Sequence, residues 1–334
     1  MHQNFKTLAL SLIIGSSIGS GLATAQNNPA GSMMVFSEFD NRAGVANVIT
    51  VTNTSSSESI KVEFVYIGRV INGDVEIPCA EFNRTETLTP NDTFTFLTKA
   101  HNPALEQGYV YAFAKDVDTN EPIAFDHLVG SMIKVDSIYV LDYGVNAVVF
   151  QASQNLAHGA LTDVDGDGLR DMNGEEYSMV ADKVVIPRFF GQAFLHVSNL
   201  HLIGLTGGTK FDTTLDFQIY NDNEEVFSAE YTFNCWDKVK LIDISALFDN
   251  LYLQNYTNHD PDEIFGFAGL ESGWMRIDGA VASSTSTSIQ DPAFIAVLSE
   301  GLRTLQVADL PFTEGFQDNG DLLSRAVGGD TSGN

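Results

Sequence analysis

Basic residues are scarce in this chain: Lys and Arg number 17 against 44 Asp and Glu, a formal charge of −27. An excess of that size repels phosphate backbones and anionic lipid, which excludes nucleic acid and membrane surfaces as partners and favours divalent cations. Cysteine is scarcer still, with only Cys79 and Cys235. Small disulfide scaffolds carry many more, so ordinary apolar cores must hold this fold. The two cysteines either bridge to each other or pack as buried free thiols. After the first 26 residues no apolar run approaches the roughly 18 residues that a spanning helix requires. Catalytic signatures are missing too: beyond residue 25 there is no G-x-S-x-G elbow, no G-x-x-x-x-G-K phosphate loop and no H-E-x-x-H zinc pair. His196 and His201, five apart and expected in a hairpin, have an indifferent spacing for ligands. Acids are abundant, so paired carboxylates for glycoside hydrolysis stay open as chemistry, but no spacing singles out a pair.

The first stretch is MHQNFKTLALSLIIGSSIGSGLATAQ. Lys6 precedes the apolar run Leu8 to Ile14, small residues come next, and Ala23-Thr24-Ala25 stands before Gln26. That pattern predicts a secretory signal over 1–25 and a secreted, periplasmic or cell-surface chain that is not inserted in the membrane after cleavage.

Short alternating runs dominate the rest of the chain. NVITVTN (47–53), IKVEFVYIG (60–68), DTFTFL (92–97) and GYVYAFAKD (108–116) place apolar or aromatic side chains on every second residue, the period of half-buried strands. Turn residues separate them, and credible helices are few, so the fold class expected is all-β, built as sandwiches. The second half repeats the scheme. Phe39 finds a counterpart in Phe190, IKVEFVYIG in TLDFQIYND (214–222), Cys79 in Cys235, and Gly108-Tyr109 in Gly273-Trp274. Co-linear order of this kind predicts two β-sandwich domains, over 33–150 and 183–300, with a linker at 151–182 and a loose extension at 301–334. Tyr109, Tyr111, Phe113 and Trp274 alternate along strands and are expected in cores.

The run LTPNDTFTFL resembles the later strands of bacterial immunoglobulin-like domains, where an L-x-P-G turn precedes a strand; Asn91 stands where that turn has Gly. Residues 33–300 are similar to exported bacterial proteins with two such sandwiches and an acidic loop between them. The resemblance implies two tandem immunoglobulin-like domains and no activity.

The acidic loop is DVDGDGLRDMNGEE, residues 163–176. Asp163, Asp165 and Asp167 alternate, Gly168 comes next, and Asp171 lies four beyond Asp167. In calcium loops such positions turn carboxylates inward, the Gly takes positive φ, the next residue lends its carbonyl and the ninth position helps directly or through water. The predicted ligands are therefore Asp163, Asp165, Asp167, the Leu169 carbonyl and Asp171. Gly174 stands where an EF-hand has its bidentate Glu, so Glu175 or Glu176 completes the set, with Glu176 preferred. The loop resembles the DxDxDGxxD repeats of thrombospondin-type and dockerin-type loops. Without a counter-ion, unit charges about 4 Å apart repel by about 4 kcal/mol at an effective dielectric near 20. Ca2+ is the expected ion, because Mg2+ demands a tighter octahedron and holds its water. Lying between the halves, a bound ion is expected to fix their relative angle. The function expected is a calcium-binding, exported β protein with a binding or structural role at the cell surface or in the extracellular matrix, its partner an extracellular polysaccharide or a surface protein. The alternative is a carbohydrate-active enzyme or its accessory module.

Overall fold

Alternation translates directly into burial along Val45–Asn53, where odd-numbered residues point inward and Ala46, Val48, Thr50 and Thr52 point out. The computed structural model describes residues 29–322 other than 73–74, 137–141, 194–195, 208–209, 259–262, 265–266 and 303–304, so the expected signal segment lies outside the described residues. The fold is predominantly β. The first group of strands is Met33–Asp40 (β1), Val45–Asn53 (β2), Ile60–Asn72 (β3), Val75–Leu88 (β4), Thr93–Leu97 (β5), Gln107–Lys115 (β6), Leu128–Asp136 (β7), Tyr143–Asn146 (β8) and Val148–Phe150 (β9). They form two sheets, ordered β4-β3-β6-β1-β9 and β5-β2-β7-β8.

Arg170–Met172 (β10) comes next, on its own. The second group comprises Lys183–Phe190 (β11), His196–Gly204 (β12), Asp212–Asn221 (β13), Val226–Asn234 (β14) and Trp236–Lys240 (β15). It continues through Glu263–Ile264 (β16), Phe267–Ala268 (β17), Ser272–Ser283 (β18), Ser288–Gln290 (β19), Phe294–Leu302 (β20), Leu305–Asp309 (β21), Phe312–Glu314 (β22) and Gly320–Leu322 (β23). Their sheets run β14-β13-β18-β11-β22 and β15-β12-β20-β21, the order of the first pair strand for strand.

Local detail repeats as well. β1 bulges between Phe36 and Phe39, so that Phe39 faces Gly108; β11 bulges between Ile186 and Phe189, so that Phe189 faces Gly273. Both sites admit only glycine: a Cβ on Gly108 would lie 1.9 Å from the Ile67 carbonyl oxygen, and one on Gly273 2.2 Å from that of Tyr220. The expected partner of Phe39 thus moves from Phe190 to Phe189. The expected alignment of the cysteines fails. Cys79 sits near the start of β4, whereas Cys235 comes just after the end of β14, opposite ends of strands that occupy the same place in their sheets. His196 and His201 share strand β12 and do not face each other across a hairpin.

β12 and β20 are buried on both faces, which is why their sequences lack alternation. Leu200, Leu202, Phe294, Ala296 and Leu298 point into the second pair of sheets. Their neighbours Ile203, Ile295 and Val297 join Trp236 in a core shared with β1, β3 and β6 of the first pair. The two pairs of sheets therefore meet through an apolar interface. Cys79 and Cys235 are disulfide-bonded across it, Cα to Cα 6.3 Å, which closes the alternative left by the sequence. Trp236 Nε1 donates to the Ser37 carbonyl at 3.0 Å, and Arg69 pairs with Asp237 at 3.1 Å. The same core takes in Met172, Tyr177 and Val180 from the segment between the halves.

A polar island interrupts that interface. Glu38 is fully buried, and its carboxylate meets Lys134 Nζ at 2.7 Å, Lys238 Nζ at 2.9 Å, His201 Nδ1 at 3.6 Å and the Tyr143 hydroxyl. Lys134 and Tyr143 come from the first group of strands, Lys238 and His201 from the second. These cations hold Glu38 well below the usual carboxylate range despite its burial. Burial lowers His201 to about 3, so it is neutral.

The loose extension expected at 301–334 is corrected over its described part. β21 and β22 complete the second pair of sheets, and β23 pairs with β10; residues 323–334 lie outside the described residues.

Candidate metal centre

The base of the acidic loop is closed by Thr162 and Tyr177, both buried, whose hydroxyls lie 2.9 Å apart. Between them Gly166 and Gly168 adopt φ of +77° and +82°, the left-handed turns that side chains resist. Those turns fold the chain back on itself. Asp165 Oδ1 accepts from the Asp167 N–H at 3.1 Å, and Asp167 Oδ1 accepts from the Leu169 N–H at 2.7 Å. Asp163 is tied to the Gly168 N–H at 3.4 Å and to Arg170 at 3.4 Å. Arg170 is buried, with its guanidinium 5.1 Å from the Phe113 ring of β6.

Of the two candidates for the last ligand, Glu175 is exposed, whereas Glu176 is only 2% exposed and points into the loop. Its Oε1 accepts from the Val164 N–H at 2.6 Å and its Oε2 from the Asp171 N–H at 3.1 Å. Asp163, Asp165 and Glu176 each bring an oxygen within 4.8 Å of the others, and Asp165, Asp167 and Asp171 do the same. Leu169, expected to lend its carbonyl, sits in the same turn. The predicted side chains thus form two groups that share Asp165, all with hard oxygen donors. That donor set fits Ca2+ in chemistry and in number.

Crowding is visible in the proton affinities. Glu176 is pushed up to about 6, chiefly by burial, against the opposing effect of its two backbone donors. Asp171 is raised by burial and then by the charges of Asp167 and Asp165. Across the β10–β23 ribbon Asp171 pairs in register with Asp321, which burial and the Asp171 charge push up to about 7. Asp321 carries no signal in the sequence, because nothing local marks an Asp in NGDLL as a neighbour of a loop so far upstream.

A second group, Asp182, Asp278 and Asp291, also gathers oxygens within 4.8 Å. Lys183 bonds Asp278 and lies 3.7 Å from Asp182, so this group is an ion-pair network with its own cation. The second sandwich also brings Ser198, His196 and Glu300 together. Ser198 Oγ lies 3.2 Å from His196 Nε2 and donates to Glu300 Oε1 at 3.0 Å, while His196 Nδ1 faces the Gly191 carbonyl at 3.2 Å. Serine and carboxylate thus share one side of the imidazole, and all three are buried. A nucleophile relay needs them on opposite nitrogens, so this group is a core hydrogen-bond network.

No protein-family profile matches the chain, and no curated protein matches it. Among solved structures it is similar, at 12% identity and a TM-score of 0.17, to the cowpea mosaic virus top component, naturally occurring empty particles, over 96% of this chain and 98% of that one. A likeness at that score carries no argument about fold or function.

Proposed function

We propose that residues 163–176 bind calcium, and that the chain is an exported protein of two tandem β-sandwiches with a structural or binding role at the cell surface or in the extracellular matrix. The observation that carries the metal reading is the convergence of Asp163, Asp165 and Glu176 oxygens within 4.8 Å, with Glu176 held by two backbone N–H groups. Export rests on the signal pattern of residues 1–25. Descent of both halves from one immunoglobulin-like unit is supported by the repeated strand order and the repeated bulge opposite Gly108 and Gly273. The immunoglobulin-like reading is supported by the pairing order, in which the second to sixth sandwich strands of each half would correspond to B, C, C′, E and F and the first strand would stand beside F in place of the last.

A structural role is favoured over the polysaccharide-binding alternative. Tyr109, Tyr111 and Phe113 are buried, and Tyr220 and Trp274 stack on each other at 4.1 Å with Arg276 over the Trp274 ring. These strand aromatics are engaged by protein, and the exposed rings among the described residues, Tyr256, Phe312 and Phe316, lie outside those strands.

Calorimetric titration of chelator-stripped chain tests the metal reading. Wild type should bind Ca2+ more tightly than Mg2+, and at about one hundred times the dissociation constant Ca2+ should add about 2.7 kcal/mol of stability. Glu176→Gln and Asp165→Asn should lose both effects. Absence of heat and of any melting shift at about millimolar calcium, the range of extracellular modules, would remove the site.

A further inference from the structure

Four sheets stacked in series leave two free faces, one at each end, and the two differ in charge. The end formed by β14-β13-β18-β11-β22 carries a cross-strand row of Glu230, Asp216, Asp278, Lys183 and Glu314. The end formed by β5-β2-β7-β8 carries no charged outward residue among the described residues. Cross-strand register builds it in rows. One row is apolar, with Leu97, Val48 and Ile133 side by side; the next is Thr95, Thr50, Ser131 and Asn146. Ile133 and Leu97 are 52% and 50% exposed.

We propose that this uncharged face docks a second copy of the chain, sheet against sheet about a two-fold axis. Electrostatics selects the partner. A chain of net charge −27 repels its own copies over most of its surface, and a face without charge is where two copies approach at least cost. Desolvation is cheap there as well, since Thr50 and Thr95 hydroxyls bond each other at 3.0 Å and those of Thr52 and Thr93 at 2.9 Å. Among the described residues its outward side chains include no aromatic ring on which a sugar would stack. Its extent is also adequate. Strands of 9, 9, 5 and 4 residues cover roughly 400 Å² at about 4.8 Å by 3.3 Å per residue. The face continues across the seam between β8 and β21 onto Ala308 and Leu310, which line one groove with Ile133, Asn146 and Asp309, whose charge is paired with Arg188 at 2.8 Å. Two copies then bury on the order of 1,000 Å², the lower bound for a specific interface, so the dimer is weak.

Sedimentation of the full chain over a concentration series tests this. Dimerisation should strengthen as salt rises from about 0.01 M to about 0.15 M, because the Debye length falls from about 30 Å to about 8 Å and the repulsion between copies is screened. An interface built on ion pairs would weaken instead. Ile133→Glu and, independently, Val48→Glu should each raise the dimer dissociation constant on the order of a hundredfold, since each buries an unpaired charge. Glu230→Lys at the opposite end should leave the interface in place. Melting temperatures within error of wild type establish that each variant folds. A chain that stays monomeric at high concentration and high salt overturns the proposal. So does a dimer that survives both face variants.

Discussion

Replacing Glu38 by Gln keeps the shape of the side chain and removes the charge on which the interface island depends. Lys134 is fully buried, its ammonium 2.7 Å from Glu38 and 3.8 Å from Asp40, and Asp40 is already shared with Arg42 at 2.7 Å. Lys238 loses its partner at 2.9 Å in the same step. Breaking a buried pair from one side costs about 3–5 kcal/mol, because the surviving charge stays desolvated. Unfolding entropy near 2.1 cal/mol/K per residue over a chain of this length converts that to a fall in melting temperature of about 4–7 °C. Differential scanning calorimetry at neutral pH reads it directly.

A second substitution supplies an internal control. If the penalty is the orphaned ammonium, Glu38→Gln combined with Lys134→Met should recover more than half of the loss, giving a favourable coupling in a double-mutant cycle. The pH dependence has a definite sign. Because Glu38 is held below its ordinary value in the folded chain, its contribution is present above the unfolded pKa of about 4.3 and is lost as pH falls through the folded one. The gap between variant and wild type should therefore be steady from pH 8 to 5 and close in stronger acid. A shift under about 2 °C, or a double variant no better than the single, would show that water or a rearranged partner satisfies Lys134.

Two further predictions concern sites within single sandwiches. Glu300 is 2% exposed and raised to about 7, first by burial. Between its unfolded pKa and about 7 the folded chain binds a proton that the unfolded chain does not, so wild-type stability falls as pH rises through that window. Glu300→Gln lacks this loss, and denaturation at pH 5 and pH 8 should show it gaining on wild type by up to roughly 3 kcal/mol. Gly108→Ala and Gly273→Ala should each cost about 2–4 kcal/mol, because backbone rather than a movable side chain blocks the added carbon. Gly159→Ala, with nothing within 4 Å but φ of +77°, should cost only about 1–2 kcal/mol in urea titration.

Legibility in the sequence tracks the range of each interaction. Period two is a local signal, and burial follows it along β2 and β5, whereas β6 alternates in sequence but is buried on both faces. The acidic loop's turns are readable because they are built within fourteen residues, with glycines at positive φ between alternate Asp residues. Asn91 takes φ of +59° in the turn where the resembling domains have Gly, one of the few side chains that tolerates it. Hidden from such a reading is whatever distant strands supply. HVSNLHLIG and FIAVLSEGL lack alternation because a second core covers their outer faces, and sequence alone does not say whose core that is. Glu38 and Lys134 look like surface residues until the other half is placed over them. Order along the chain matches the two cysteines to each other, but a bridge needs nearness in space, and strands in the same seat can offer opposite ends.

Placement decides what a cation can do here. Between loosely tethered domains it would set an angle, the role that the loop's position between the halves suggests. The halves are instead joined by a shared apolar core, to which the loop contributes Met172, and by a disulfide and the Glu38 island, which lie outside the loop. The loop does touch β10, and through it β23, whose Asp321 N–H donates to the Leu205 carbonyl at 2.5 Å and whose carboxylate stands beside Asp171. Thr206 of the second sandwich accepts from the Ala293 N–H and donates to the Asn319 carbonyl, fastening the same segment from the other side. Positive charge in the loop would relieve repulsion among Asp167, Asp171 and Asp321 at the point where the chain's last described strand crosses both halves. Calcium bound as proposed would therefore act on that closing ribbon, whose Met172 is buried in the shared core.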